Sequence, residues 1–324
     1  LERQGFIRPH MADENDKRTI YMVDMHEPLM FLHNLETTIK EPFASNPAVL
    51  DAIEKNHRKL QMAMTKLYPG NLVISLSSGV MHHRLVDRIT ALNDVPREPL
   101  VPRRLGKNMC VPFGKILRGK VVPNTVTKTL HTDKVYEPDL NSFTIEPFPY
   151  YSPLKSQIET IKSFDRPVIL VDDLVHKADR LQVLVPQLRE NGIPIKKVVV
   201  GVLSGYGRDL MQCLKVPVES IYSMPNLRQW FVESTLYPFI GGDTVRREEM
   251  KVAGLQPSIN MILPYATPRL SGCSREALVE FSACCIENSR DLFQVLEAEY
   301  RKMYAKNLTL SRLSEAVILP LCPD

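Results

Sequence analysis

No stretch of this 324-residue chain approaches the roughly 20 consecutive apolar residues that a membrane-spanning helix needs, which excludes a membrane span of that kind. A secretory leader pattern is also missing, because Arg3, Arg8 and the acids of Asp13-Glu14-Asn15-Asp16 interrupt any apolar stretch near the start. Cysteine is scarce and unpatterned. The six residues Cys110, Cys213, Cys273, Cys284, Cys285 and Cys322 show no Cys-x-x-Cys spacing and no matching histidines, so neither a zinc framework nor a disulfide framework is expected. They read as reduced thiols of a cytoplasmic protein. An excess of one charge is lacking too: a net charge of +4 is too small to argue for nucleic acid by itself. Leu1 is not an initiator methionine, so a piece of a longer protein with an N-terminal domain of its own is one expectation.

What the chain does contain is the composition of an ordinary globular protein, 44% apolar and 24% charged, at a length that suits one large or two ordinary domains. Residues 1–18 read as a flexible lead-in and Thr19–Val23 as an edge strand. A helix is expected over Pro47–Leu67, with Asn46 as N-cap, Pro47 in the first helical position, and Val49, Leu50, Ile53, Leu60, Met64 and Leu67 on one face. The apolar run Leu72–Leu76, the turn Ser77-Ser78-Gly79 and the amphipathic run Val80–Leu92 read as strand, turn and helix. Further on, Lys196–Leu203 is an apolar strand that ends at Ser204-Gly205-Tyr206-Gly207, and Val218–Tyr222 is another. Short strands alternating with helices predict a parallel sheet with right-handed crossovers. Ser274 is placed to cap a long helix reaching about Lys306, which covers the sheet or forms a homodimer interface.

The most informative stretch runs from Arg166 to Arg180. Val168-Ile169-Leu170-Val171 suits a strand buried on both faces, and it is followed by the acids Asp172 and Asp173. Carboxylates just past such a strand lie where open α/β sheets bind ligands. Two adjacent like charges persist mainly where they face water, a metal or ligand hydroxyls. An acidic helix N-cap after the strand is the alternative reading.

This segment resembles the phosphoribosyl pyrophosphate motif of type I phosphoribosyltransferases: an apolar strand, two acids, two apolar residues, then a short loop that opens a helix. The resemblance implies an α/β fold, a parallel sheet flanked by helices, over residues 19–270, with a helical C-terminal extension over 271–324. It implies that Asp172 and Asp173 hold ribose hydroxyls or water on Mg2+, and that His176, Lys177 and Arg180 occupy the 5′-phosphate loop. By the same resemblance Ser77, Ser78 and Gly79 contact pyrophosphate, and Lys128 or His131 closes over the reacting centre from a mobile flap at Pro123–Lys134. An ordinary hairpin is the other reading of that segment. Ser204, Gly205 and Gly207 form a Gly-rich strand-to-helix turn that either holds a base or phosphate or serves only as a tight turn. The chain departs from the motif in its loop, where Ala178 replaces the glycine, hydroxyl residues are missing and Asp179 adds a charge that repels phosphate.

Over most of its length the sequence is also similar to the C-terminal region of bacterial cytidyltransferase-related proteins, in the phrases Glu36–Phe43, Val126–Thr132, Tyr151–Leu154 and Val171–Lys177. It has no His-x-Gly-His turn, so nucleotidylyl transfer of that type is not expected from these residues. The readings rank as a phosphoribosyltransferase-like enzyme binding a phosphorylated ribose compound or nucleotide, then a nucleotide-binding module without catalysis. A nucleic-acid binder using the basic stretch Lys107–Lys134 and Arg103-Arg104 comes last.

Overall fold

The computed structural model describes residues 7–13, 16–23, 27–102, 104–117, 120–149, 151–247, 255–268, 270 and 272–323, with the backbone alone described before residue 24. Arg103, Arg118 and Gly119 of the basic stretch and residues 1–6 and 14–15 of the expected lead-in lie outside the described residues. The chain divides into two compact units that interleave along the sequence. The first takes Leu1–Pro28, Ser78–Asp133 and Ile145–Arg228; the second takes Leu29–Ser77, Lys134–Thr144 and Gln229–Asp324.

The first unit is built on a seven-stranded sheet in the order Ile7–Asp13, Asp16–Val23, Val218–Met224, Ile195–Ser204, Val168–Val175, Met109–Pro112, Val126–Thr127. Every pairing is parallel except the first, an antiparallel hairpin. Residues expected as a flexible lead-in therefore supply one strand and the start of a second, and Thr19–Val23 lies one place in from the edge rather than on it. Val168, Ile169, Leu170 and Val171 and, beside them, Val198, Val199 and Val200 are fully buried, as parallel strands covered on both faces require. Helices Asp179–Glu190 and Gly205–Cys213 make the crossovers between the strands that flank them. Leu181, Leu184, Val185 and Leu188 from the former join Ile158 and Ile161 of helix Leu154–Lys162 in one core with the sheet. Helix Ser78–Leu92 also packs on the sheet at Gly201, where any side chain would overlap Met81.

The second unit holds a three-stranded parallel sheet in the order Gln229–Val232, Leu29–His33, Val73–Ser77. A mixed five-stranded sheet runs Leu321–Pro323, Gln256–Ile259, Asp243–Val245, Thr132–Tyr136, Phe143–Pro147. Helix Pro47–Leu67 forms as its signals predict: Asn46 accepts from the amides of Ala48 and Val49, Pro47 opens the first turn, and the chain turns away at Tyr68. Val49, Ile53, Leu60, Met64 and Leu67 are buried, while Leu50 at the stripe's margin is exposed. Ser274 caps the long helix Arg275–Tyr304, whose Leu278, Phe281, Leu292, Leu296 and Tyr300 complete the same core. Residues expected as a C-terminal extension thus share their core with Leu29–Leu67, and the aromatic residues Phe231 and Tyr237 are packed into it.

Candidate functional site

Strand Val168–Val175 has unequal neighbours. On one flank Ile195–Ser204 accompanies it to the end, pairing Asp172 with Val200 and Val175 with Leu203. On the other, Met109–Pro112 stops at Pro112 opposite Val171. The chain leaves these neighbours in opposite senses, from Met109–Pro112 to the edge strand Val126–Thr127 and from Val168–Val175 to Ile195–Ser204. That is a topological switch point, which opens a crevice beyond the carboxyl ends of the strands. The acids were expected just past the strand end; they lie within the strand, because the ladder to Ile195–Ser204 continues past them.

Asp172 is buried, with its carboxylate seated over Gly114, where even a methyl group would overlap it. Its Oδ1 accepts from the Asp173 amide at 2.9 Å, and Asp173 Oδ1 accepts from the Leu174 amide at 2.8 Å. Burial raises the pKa of Asp172 well above the usual carboxylate range, and the charge of Asp173 raises it further, against a smaller opposing effect of Arg180. Arg180 Nη1 stands 3.8 Å from Asp172 Oδ2, too far for a hydrogen bond, and Arg180 Nε is buried with no hydrogen-bond partner. The contrast with Glu219 is instructive: that buried acid has Arg88 on one side and Lys197 Nζ at 2.9 Å on the other.

Arg180 lies in the first turn of helix Asp179–Glu190, whose N-cap is Ala178 and whose end receives no side-chain cap. An uncapped helix N-terminus leaves amide donors facing outward. Ala178 has φ +52° and ψ 25°, the left-handed conformation that glycine takes without cost. Lys177 beside it is exposed. His176 Nδ1 is 2.8 Å from Ser204 Oγ, which also accepts from the Gly207 amide at 3.0 Å as N-cap of the next helix. Burial lowers the pKa of His176, as does the charge of Lys177. Both glycines of that turn are accounted for by packing: a Cβ at Gly205 would lie 2.6 Å from the Pro225 carbonyl oxygen, and one at Gly207 would overlap the Val175 carbonyl.

Asp172, Asp173, His176, Lys177, Arg180, Ser204, Gly205 and Gly207 thus gather at the carboxyl ends of two adjacent strands. Lys128 and His131 do not hang from a flap. Lys128 N donates to Cys110 O, Leu130 N to Pro112 O, and the Gln157 side chain brackets the His131 backbone at 2.7 and 3.2 Å. The segment is a parallel extension of the sheet edge rather than a flap or hairpin, and it places His131 across Pro112–Phe113 from the acids, stacked on Tyr151 with ring centroids 3.8 Å apart. Ser77 ends a strand of the second unit's three-stranded sheet, while Ser78 and Gly79 begin a helix of the first unit with no intervening turn. The turn expected to meet pyrophosphate is therefore not part of the acid-bearing sheet.

Two features went unread in the sequence. One is Gly114, whose missing side chain makes room for Asp172. The second unit also brings His33, His57 and Glu233 together. Burial lowers the pKa of His33 to about 3, with the neighbouring His57 acting in the same direction, and burial raises that of Glu233. No spacing rule announces residues 200 positions apart.

Comparison with known proteins gives little to add to this geometry. No protein-family model matches the chain, and no curated protein matches it. Among solved structures, a purine phosphoribosyltransferase from Pyrococcus horikoshii Ot3 aligns at 13% identity over 48% of this chain and 86% of that one, with a TM-score of 0.27. A likeness of that strength carries no argument, so the α/β class stands on the strand order itself. Among the described residues no helix is long and apolar enough to cross a membrane.

Proposed function

We propose that the first unit binds a phosphorylated ribose compound or nucleotide in the crevice beyond Met109–Pro112 and Val168–Val175. The observation that carries this reading is the buried, unpartnered Nε of Arg180 in the first turn of an uncapped helix. A buried guanidinium donor without an acceptor costs about 1–3 kcal/mol, and a phosphate oxygen satisfies it together with the first-turn amides. Exposed Lys177 adds a second positive charge at the same helix end. Asp173 takes the ribose hydroxyls as a half-buried acceptor, beside the buried Asp172.

Magnesium suits the donor set only in part. Each acid has one oxygen engaged by an amide, and Asp172 is buried while Asp173 is half-buried, so Asp173 is the residue that would hold a Mg2+-bound water, the ion itself arriving with the ligand's phosphates. Such an ion would neutralise a pyrophosphate leaving group.

Binding without transfer is the second reading, and specific observations favour it. The Lys128–Leu130 backbone is bonded along the sheet edge, and Ala178 keeps a methyl group where the loop backbone would approach phosphate. The double variant Asp172→Asn with Asp173→Asn is expected to lose ribose-phosphate affinity while keeping its circular dichroism and unfolding cooperativity; unchanged affinity contradicts the assignment. Labelled phosphoribosyl pyrophosphate incubated with each nucleobase separates the two readings, since pyrophosphate release marks transfer and retention of intact ligand marks a binding module.

A further inference from the structure

We infer that His33, His57 and Glu233 of the second unit form a binding site for a divalent transition-metal ion of the zinc class. The three come from three elements of that unit. His33 ends the central strand of its parallel sheet, and Glu233 directly follows Val232, which pairs with Leu32 in the neighbouring strand, so the two residues sit side by side at the same sheet end. His57 comes from helix Pro47–Leu67.

The ligand atoms all lie within 4.8 Å of one another. His33 Nδ1 is 3.3 Å from Glu233 Oε2, and His57 Nδ1 is 3.4 Å from Glu233 Oε1. The two contacts run to different oxygens of the one carboxylate, so Glu233 faces both imidazoles at once. Two imidazoles and a carboxylate are a zinc donor set, and three protein ligands leave a fourth position open.

Hydrogen bonding alone does not satisfy the cluster. Glu233 Oε1 is buried, with His57 Nδ1 at 3.4 Å and no closer partner, and the Glu233 side chain is only 1% exposed. An ion between the carboxylate and the two rings supplies the missing partner. The surroundings are those of a metal site as well. Gln61, one helical turn after His57, sits 3.3 Å from His33 Nε2 and 2.8 Å from Ser75 Oγ. With its amide turned so that the oxygen faces the ring, Gln61 accepts the Nε2 proton and fixes the tautomer that leaves Nδ1 free to ligate. The loop carrying Glu233 is pinned to the loop after His33 by a reciprocal pair: the Ser234 amide donates to Asn34 Oδ1 at 2.9 Å, and Asn34 Nδ2 donates to Ser234 Oγ at 2.9 Å. His33 and His57 remain 12% and 21% exposed, so an ion can reach them.

The test uses the full chain, stripped with chelator and titrated with Co2+ followed by Zn2+. The expected result is one equivalent of Co2+ with visible absorption bands of low-symmetry, four- or five-coordinate cobalt, displaced by Zn2+. His57→Ala and Glu233→Gln are each expected to weaken binding by about a hundredfold or more, with the helical circular dichroism of the parent retained. Gln61→Leu touches no metal and is expected to weaken binding by about 10–100-fold, as loss of an orienting partner does. His82→Gln with His83→Gln, on a helix of the first unit, leaves binding unchanged. Absence of stoichiometric binding overturns the proposal, and so does binding that survives His57→Ala and Glu233→Gln or is lost with the His82 and His83 changes.

Discussion

Asp172 rests its carboxylate on Gly114, just past the point where the neighbouring strand has ended. Replacing Gly114 with alanine puts a methyl group onto Asp172 Oδ1 and Cγ, neither of which can yield without breaking the bond from the Asp173 amide. The expected cost is about 1–3 kcal/mol, the usual penalty of overpacking, together with loss of ligand affinity. Urea unfolding of Gly114→Ala beside the parent measures the first and calorimetric titration the second; a variant as stable and as tight as the parent contradicts the geometry.

Stability should carry the mark of Asp172 in its pH dependence. Its folded pKa is raised above the roughly 3.9 of an unfolded aspartate, so the folded state binds the proton more tightly. The contribution of this group is therefore complete below that unfolded value and is lost as pH rises through the folded pKa. Asp172→Asn removes the dependence. The difference in unfolding free energy between variant and parent should move in favour of the variant between pH 4 and pH 8, and a constant difference over that range refutes the sign.

Arg180 is expected to separate binding from folding. It is 3.8 Å from Asp172 and 23% exposed, so Arg180→Met should destabilise by no more than about 1 kcal/mol, as expected for a weak and partly solvated pair, and removal of the unpartnered Nε acts in the opposite direction. Loss of its charge-assisted contacts should still weaken phosphate binding by tenfold or more. Equal affinities in parent and variant would remove Arg180 from the site.

The second unit has its own internal lock. Asn56 Nδ2 donates to the Asn288 carbonyl at 2.8 Å, and Asn288 Nδ2 donates to the Asn56 carbonyl at 3.0 Å, with both residues buried between helices Pro47–Leu67 and Arg275–Tyr304. Asn288→Ala removes one of the two bonds while the Asn56 carbonyl keeps its intrahelical donor, at an expected cost of about 0.5–1.5 kcal/mol. Denaturant unfolding followed by circular dichroism checks it, since these two helices hold much of the unit's helical signal.

What could be read from the sequence was what local chemistry decides. Asn46 and Pro47 start one helix and Ser274 another, and both begin at those caps. Val168–Val171 announces a doubly covered strand and forms one. What stayed hidden depends on partners distant in the chain. Val73–Ser77 reads like any buried strand, and only its pairing with Leu29–His33 assigns it to another sheet than Asp172. The Thr-rich stretch after Pro123 looks mobile because its bonds are made by its backbone to Cys110 and Pro112, which leave no trace in residue type. Asp172 and Asp173 suggest a strand end because charge seldom continues a buried strand, yet the ladder to Val200 and Val202 carries on beneath them. His33, His57 and Glu233 meet only through sheet register and the placing of one helix.

The most direct measurement is thermal unfolding of the full chain against ribose 5-phosphate, phosphoribosyl pyrophosphate with and without Mg2+, common nucleotides, inorganic phosphate and a short RNA. A ligand at about a hundredfold over its dissociation constant stabilises by roughly 2.7 kcal/mol, enough to raise the midpoint by several degrees. The account predicts such a rise with a phosphorylated ribose compound or nucleotide, larger than with inorganic phosphate and reduced by half or more in Arg180→Met. No rise with any of them at millimolar concentration, or a rise of equal size in Arg180→Met, contradicts it.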